Sequence, residues 1–342
     1  MTLDNIKIYG PDFKFHNGSV SFSGEKIADV RLDDSETDSE FMLIPGFIDL
    51  HFHGCAGYDF TDGTKEAIEK MAEYEAKNGI TAICPSTMPV SDSQLKKALA
   101  AAAEYNGENG AELVGINMEG PYLTFEKRGG NDANYLKNPS ITEFIKEVSK
   151  SAVVSLAHTP ADYNTAMKGF EAGASLVTHL FNGMSAFSHR ETGLAGAAMD
   201  FGAYVELICD GRHVSDTMLR AAYKIFGEEK IVIISDSLSC TGLADGIYPM
   251  GELTVEVKDG LGRLADGTIA GASNNLFEGF RHLVKCGIPL ESAVRMASYN
   301  PAKILGVSER LGTIEPGKTA SLVMIDKELN IRTVYLKGEK IL

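Results

Sequence analysis

His51 and His53 close an apolar run, Leu43-Ile44-Pro45-Gly46-Phe47-Ile48-Asp49-Leu50. Residues i and i+2 of a strand point to the same side. A strand ending in His-Phe-His therefore presents two neutral nitrogen donors side by side, which is half of a divalent-metal site if further ligands arrive from later in the chain. The alternative is a pair of histidines that finish a strand with hydrogen bonds alone.

Later ligands are available. Asn117-Met118-Glu119-Gly120-Pro121 ends an extended run in a carboxylate, Ala157-His158-Thr159 and Thr178-His179-Leu180 end two more, and Ile233-Ile234-Ser235-Asp236 ends another. Any one of these could be structural, and an Asp at a strand-to-helix turn is often a helix N-cap. Taken together at matching strand ends, Glu119, His158 and His179 make a metal site. A carboxylate such as Asp236 can then serve as general base, because a bound ion lowers the pKa of water and the carboxylate takes its proton. Asp210-Gly211-Arg212-His213, His189-Arg190 and the amides around Asn182-Gly183 offer cationic and N–H donors suited to a phosphate. A solvated Arg190 would serve equally well as a surface residue.

Positioning these residues requires several parallel strands. Short β-branched runs at residues 44–50, 80–85, 112–118, 153–157, 175–180, 205–209 and 230–235 alternate with helix patterns such as 64–77, 92–105 and 162–171, which is the signature of βα units. Candidate ligands follow five of the seven runs, as at the mouth of a (β/α) barrel, whereas a doubly wound sheet gathers them at one switch point. The fold class read here is α/β, a TIM-like barrel over residues 43–309. Residues 1–42 and 310–342 alternate like strands and are assigned to a small β-sandwich domain formed by both termini. Residues 250–270 read as a hairpin, with Asp259-Gly260 and Asp266-Gly267 as turns.

The chain of 342 residues is 44% hydrophobic and 23% charged, an ordinary globular balance. A formal charge of -15 argues against nucleic acid or an anionic membrane as the main partner. Five cysteines without a C-x-x-C pair read as reduced thiols, and the charged N-terminus lacks an apolar leader, so the expected location is cytoplasmic.

The full set of motifs resembles the N-acetylglucosamine-6-phosphate deacetylases of the amidohydrolase superfamily, essentially end to end. It comprises Pro45-Gly46-Phe47-Ile48-Asp49-Leu50-His51-Phe52-His53-Gly54, Met118-Glu119-Gly120-Pro121, Ala157-His158-Thr159, Thr178-His179-Leu180-Phe181-Asn182-Gly183-Met184, Cys209-Asp210-Gly211-Arg212-His213, Ile234-Ser235-Asp236 and Asp266-Gly267-Thr268-Ile269-Ala270-Gly271. The resemblance implies removal of the acetyl group from N-acetylglucosamine 6-phosphate. It implies Glu119, His158 and His179 around one metal, His51 and His53 around a second with Glu119 bridging, and Asp236 as catalytic acid/base. Two ions per chain are expected, from among zinc, iron, manganese and cobalt. Asn182, Gly183 and His213 match positions that bind the sugar phosphate, and Arg190 an arginine donated across a homodimer. Competing readings are the galactosamine isomer as substrate, a cyclic-amide amidohydrolase, or a weakened homologue that only binds.

Two departures from the family pattern stand out. Arg128-Gly129-Gly130-Asn131-Asp132 occupies a loop where the family usually has His or Gln, so Asn131 is the residue left to contact the substrate acyl group. Between Glu119 and His158 the chain is also short by one βα unit, about 25 residues, which predicts a barrel that is gapped or closed on seven strands.

Overall fold

The protein is described here from a computed structural model, over residues 1–33, 39–107, 109–137, 141–251 and 253–342. Residues 34–38 of the N-terminal segment and residue 252 of the hairpin region lie outside these.

The barrel contains seven parallel strands among the described residues. In order they are Phe47–Asp49, Ile80–Ile83, Glu112–Leu113 (resumed at Asn117–Met118), Ser155–Leu156, Leu176–Val177, Tyr204–Ile208 and Ile231–Ile234. Strands one to three form one sheet and strands four to seven another. The first and seventh strands are joined beyond their ends, where the Asp236 N–H donates to the His51 carbonyl (2.9 Å) and the His53 N–H to the Ser237 carbonyl (2.8 Å). No described strand lies between Met118 and Ser155, so the barrel is one βα unit short and open between strands three and four, as the sequence spacing predicted. The loop after Glu119 bridges that opening at the active end: the Thr124 N–H and hydroxyl both donate to the His158 carbonyl, at 3.0 and 2.8 Å.

Alternation decides which strand residues face which layer. Ile231 and Ile233 belong to the outer core shared with the helices, and Val232 and Ile234 to an inner cluster with Ile48, Ala82 and Ile208. The helices that fill the outer layer begin where capping residues stop the preceding loop. Thr64 caps α1 (Lys65–Lys77) by accepting from the Ala67 N–H, Ser91 caps α2 (Asp92–Glu104), and Asp162 accepts from Thr165 at the start of α4 (Tyr163–Glu171), with α3 (Ile141–Val148) between them. Then follow α5 (Gly193–Phe201), α6 (Asp216–Phe226) and α7 (Leu276–Lys285). Phe277 and Phe280 of α7 pack on Phe47 of the first strand, with ring centroids 5.5 and 4.8 Å away.

Both termini enter one seven-stranded sheet, ordered Glu339–Lys340, Ile331–Leu336, Leu322–Asp326, Phe41–Pro45, Thr2–Tyr9, Phe15–Ser23, Lys26–Asp33. This ladder doubles back on itself, since the Ile27 N–H donates to the Lys318 carbonyl and the Gly317 N–H to the Ile27 carbonyl. It encloses its own core of Ile6, Ile8, Val20, Phe22, Leu43, Leu322 and Tyr335. The run 43–50 reads as one strand in sequence but divides at Gly46. A Cβ there would lie 2.1 Å from Thr81 Oγ1, so only glycine lets the chain pass from the terminal sheet into the barrel. That passage falls a few residues beyond the boundary read at residue 43. Residues 246–272 form four antiparallel strands beside the barrel mouth, turning at Asp259-Gly260 (φ 52° and 70°). No helix among the described residues is long and apolar enough to cross a membrane.

Candidate metal centre

Six side chains named from the strand ends converge in one buried pocket. His51, His53, Glu119, His158, His179 and Asp236 are each less than a tenth exposed. Their ligand atoms fall into two sets, His51 with His53 and Asp236, and Glu119 with His158 and His179, each spanning no more than 4.8 Å. Glu119 joins the sets. Its Oε2 lies 2.7 Å from His51 Nε2 and 3.6 Å from His53 Nε2, while Oε1 lies 3.0 Å from His158 Nε2. Asp236 Oδ1 closes the first set at 3.6 Å from His51 Nε2 and 3.4 Å from His53 Nε2.

Several of these atoms have no partner that satisfies hydrogen-bond geometry. His51 Nε2 and Glu119 Oε2 are buried and face each other outside that geometry, His179 Nδ1 is buried with no partner, and His179 Nε2 faces His158 Nε2 at 2.9 Å. Burying such groups unpaired costs on the order of 1–3 kcal/mol each. Convergent donors of this kind fit divalent cations, so the residues present suit the metals expected.

The backbone is strained where the ligands sit. His158, His179 and Asp236 adopt φ of 45°, 31° and 52°. Each left-handed non-glycine residue costs of order 1–3 kcal/mol and is kept where the surroundings over-determine it, which turns the strand-end side chains into the pocket. The residue after Asp236 enters no helix, so the N-cap role does not apply.

Burial alone would make His51 less basic, but its contacts with Glu119 and Glu206 outweigh that and hold it well above its ordinary value. His53 is pushed up to about 9, burial being overcome by Asp236 and Glu119. His179, lacking a carboxylate partner, is lowered to about 4, first by burial and then by the charge of His158. Burial raises Asp236, yet His53 and the neighbouring imidazoles reverse this and hold it well below the usual carboxylate range. It is therefore ionised at neutral pH.

The phosphate candidates are less concentrated. His213 Nδ1 is held 2.7 Å from Asp210 Oδ2, and Asn182 donates to the carbonyls of His179 and Leu180. A Cβ on Gly183 would approach His158 Nδ1 to 2.8 Å, so the backbone there passes hard against a candidate ligand. Arg190 lies on an exposed loop and bonds to His189. Asn131 is buried and its Nδ2 donates to Glu119 Oε1 and the Arg128 carbonyl, both at 2.9 Å, while its Oδ1 has no hydrogen-bond partner.

Two further carboxylates support the pocket, Glu206 from outside every motif and Asp49 from inside the first. Glu206 Oε2 meets His51 Nδ1 at 3.1 Å, and Asp49 accepts from the His51 N–H (3.1 Å) and the Ser235 hydroxyl (2.6 Å). Asp49 is pushed up to about 7 by burial, against those bonds. Glu206 occupies an inward position between outward-facing Val205 and Leu207, so a charge inside an otherwise apolar strand was its available signal.

The sequence matches the Amidohydrolase family over residues 42–341. The chain belongs to the amidohydrolase family. Metal dependence follows from that membership and from the two ligand sets. This amidohydrolase is 32% identical to the N-acetylglucosamine-6-phosphate deacetylase of Vibrio furnissii, over 86% of the chain and 82% of the relative. It is 31% identical to the N-acetylgalactosamine-6-phosphate deacetylase of Escherichia coli O157:H7, over 89% of each. Its fold superposes on the crystal structure of N-acetylglucosamine-6-phosphate deacetylase from Thermotoga maritima with TM-score 0.93 at 30% identity, covering 100% of this chain and 99% of that one.

Proposed function

We propose that this amidohydrolase removes the acetyl group of N-acetyl-D-glucosamine 6-phosphate, giving acetate and D-glucosamine 6-phosphate in amino-sugar catabolism, and works in the cytoplasm as a homodimer. The observation that carries the reading is Glu119 shared between two ligand sets, one of which Asp236 completes beside His51 and His53.

His51, His53 and Asp236 would hold one divalent ion and Glu119, His158 and His179 the other. Imidazole and carboxylate donors suit zinc, iron, manganese or cobalt. Bound there, such ions supply a water of lowered pKa and polarise the acetamide carbonyl. Asp236 accepts the proton of the attacking water and returns it to the amine as the C–N bond breaks. His213 receives the phosphate: burial lowers its basicity, but the Asp210 carboxylate outweighs this and favours the imidazolium, leaving Nε2 to meet an anion. Asn182 and the Gly183 amide complete the phosphate contacts, and Arg190, on an exposed loop, reaches the partner's site in the dimer.

The test is acetate release from the 6-phosphates of N-acetylglucosamine and N-acetylgalactosamine, with metal-stripped protein and with each ion restored. Metal-dependent turnover, falling about 10²–10⁴-fold in Asp236→Asn, is expected. Absence of turnover on either substrate would refute the reading. A higher kcat/KM on the galactosamine substrate would move the assignment to that isomer, which the 31% identity to an N-acetylgalactosamine-6-phosphate deacetylase makes the second reading.

A further inference from the structure

A second group of metal-ligating side chains lies outside the barrel mouth. His282 and Cys286 stand one turn apart at the C-terminal end of α7, and Asp216 opens α6. An i, i+4 pair lies on one helix face, so both α7 side chains are aimed together at the start of α6. His282 Nε2 is 2.9 Å from Asp216 Oδ1, and one donor atom from each of the three residues lies within 4.8 Å of the others.

We propose that Asp216, His282 and Cys286 bind a zinc-class divalent ion, distinct from the ions of the catalytic pocket. Thiolate, imidazole and carboxylate are the donors that zinc takes in tetrahedral sites, and at zinc-ligand lengths such donors stand roughly 3.4–3.8 Å apart. To reach that range the 2.9 Å His282–Asp216 pair must open by about half an ångström and any wider pair close by up to about 1 Å, shifts within reach of side-chain rotation. Asp216 is exposed and His282 half-buried, which leaves the fourth position to water. Hard ions such as magnesium and calcium, which prefer all-oxygen shells, fit this set poorly.

Binding displaces the Cys286 thiol proton to solvent, and the resulting thiolate and the Asp216 carboxylate neutralise the dication. Arg220 is the nearby opposing charge; its guanidinium donates to the Cys286 carbonyl and the Thr217 hydroxyl at 3.4 Å.

The location gives the ion a structural consequence. Gly211 packs against the His282 ring so closely that a Cβ would lie 2.4 Å from Nε2. An ion fixing His282 therefore buttresses the turn carrying Asp210 and His213, besides tying α6 to α7.

Cobalt(II) titration of the metal-stripped full chain separates this site from the catalytic one, whose donors include no sulfur. The other four cysteines are buried and none belongs to a described ligand cluster. A thiolate-to-cobalt charge-transfer band should develop with one cobalt per chain. Cys286→Ser should abolish the band and lower bound cobalt by one ion while the remaining ions stay. His282→Asn should weaken the band-forming site more than about tenfold, since even outer partners of ligands are worth that much. Saturation with cobalt without a band, or a band that survives Cys286→Ser, would overturn the proposal.

Discussion

Glu206 shows how the pocket depends on residues that touch no substrate. Its carboxylate holds His51 Nδ1, which fixes the ring so that Nε2 points at Glu119 and Asp236. Carboxylate partners of this kind raise ligand basicity and set orientation. Glu206→Gln keeps the size and one hydrogen bond but removes the charge. Metal affinity of the His51 set should fall 10–100-fold, measured by competition with a chelator, and activity should recover at high metal concentration. Loss that no metal concentration restores would assign Glu206 to folding instead.

At the scale of elements, the distinguishing feature is the opening between the third and fourth barrel strands. Strand Ser155–Leu156 pairs with the fifth strand on one side and with no described strand on the other, and Asn117–Met118 likewise ends its sheet. Apolar side chains near the opening remain exposed, with Met118 at 52% and Val153 at 45%, while Tyr122 stacks edge-on to Phe144 of α3. Edges lacking a ladder partner open with lower free energy than central strands. Amide exchange at Ser155–Leu156 and Asn117–Met118 should therefore be faster than at Val205–Leu207, which is paired on both sides. Equal protection would mean that the opening is closed in solution. Glu119 and His158, which flank it, are kept in register by the bridging loop, through Thr124, Asn131 and the Lys127 carbonyl that takes His158 Nδ1 at 2.6 Å.

For the whole molecule, bound ions are a folding term as well as a catalytic one. Six side chains from five segments converge on the proposed ions, so occupancy stabilises the assembled barrel over the unfolded chain, by about 2.7 kcal/mol per ion at a hundredfold excess over its Kd. Chelation should lower the unfolding temperature, and replacing His51 with Gln and His53 with Asn should remove one catalytic ion and leave the other. Counting ions by elemental analysis alongside thermal unfolding checks this. Loss of all catalytic metal in the double variant would show that the two sets do not bind independently.

The sequence by itself determined the residue types, their places at strand ends and the missing unit, because strand period, capping residues and chain spacing are local properties. The hairpin turns and helix starts were legible for the same reason. Other features were decided only by the tertiary structure. Glu119 divides its two oxygens between two imidazole sets, Asn131 donates to Glu119, Glu206 backs His51 from a strand 155 residues away, and one continuous apolar run splits at Gly46. Each of these depends on which distant atoms share a few ångströms of buried space. Spacing along the chain carries no record of that, because contact between remote segments is set by how the barrel closes.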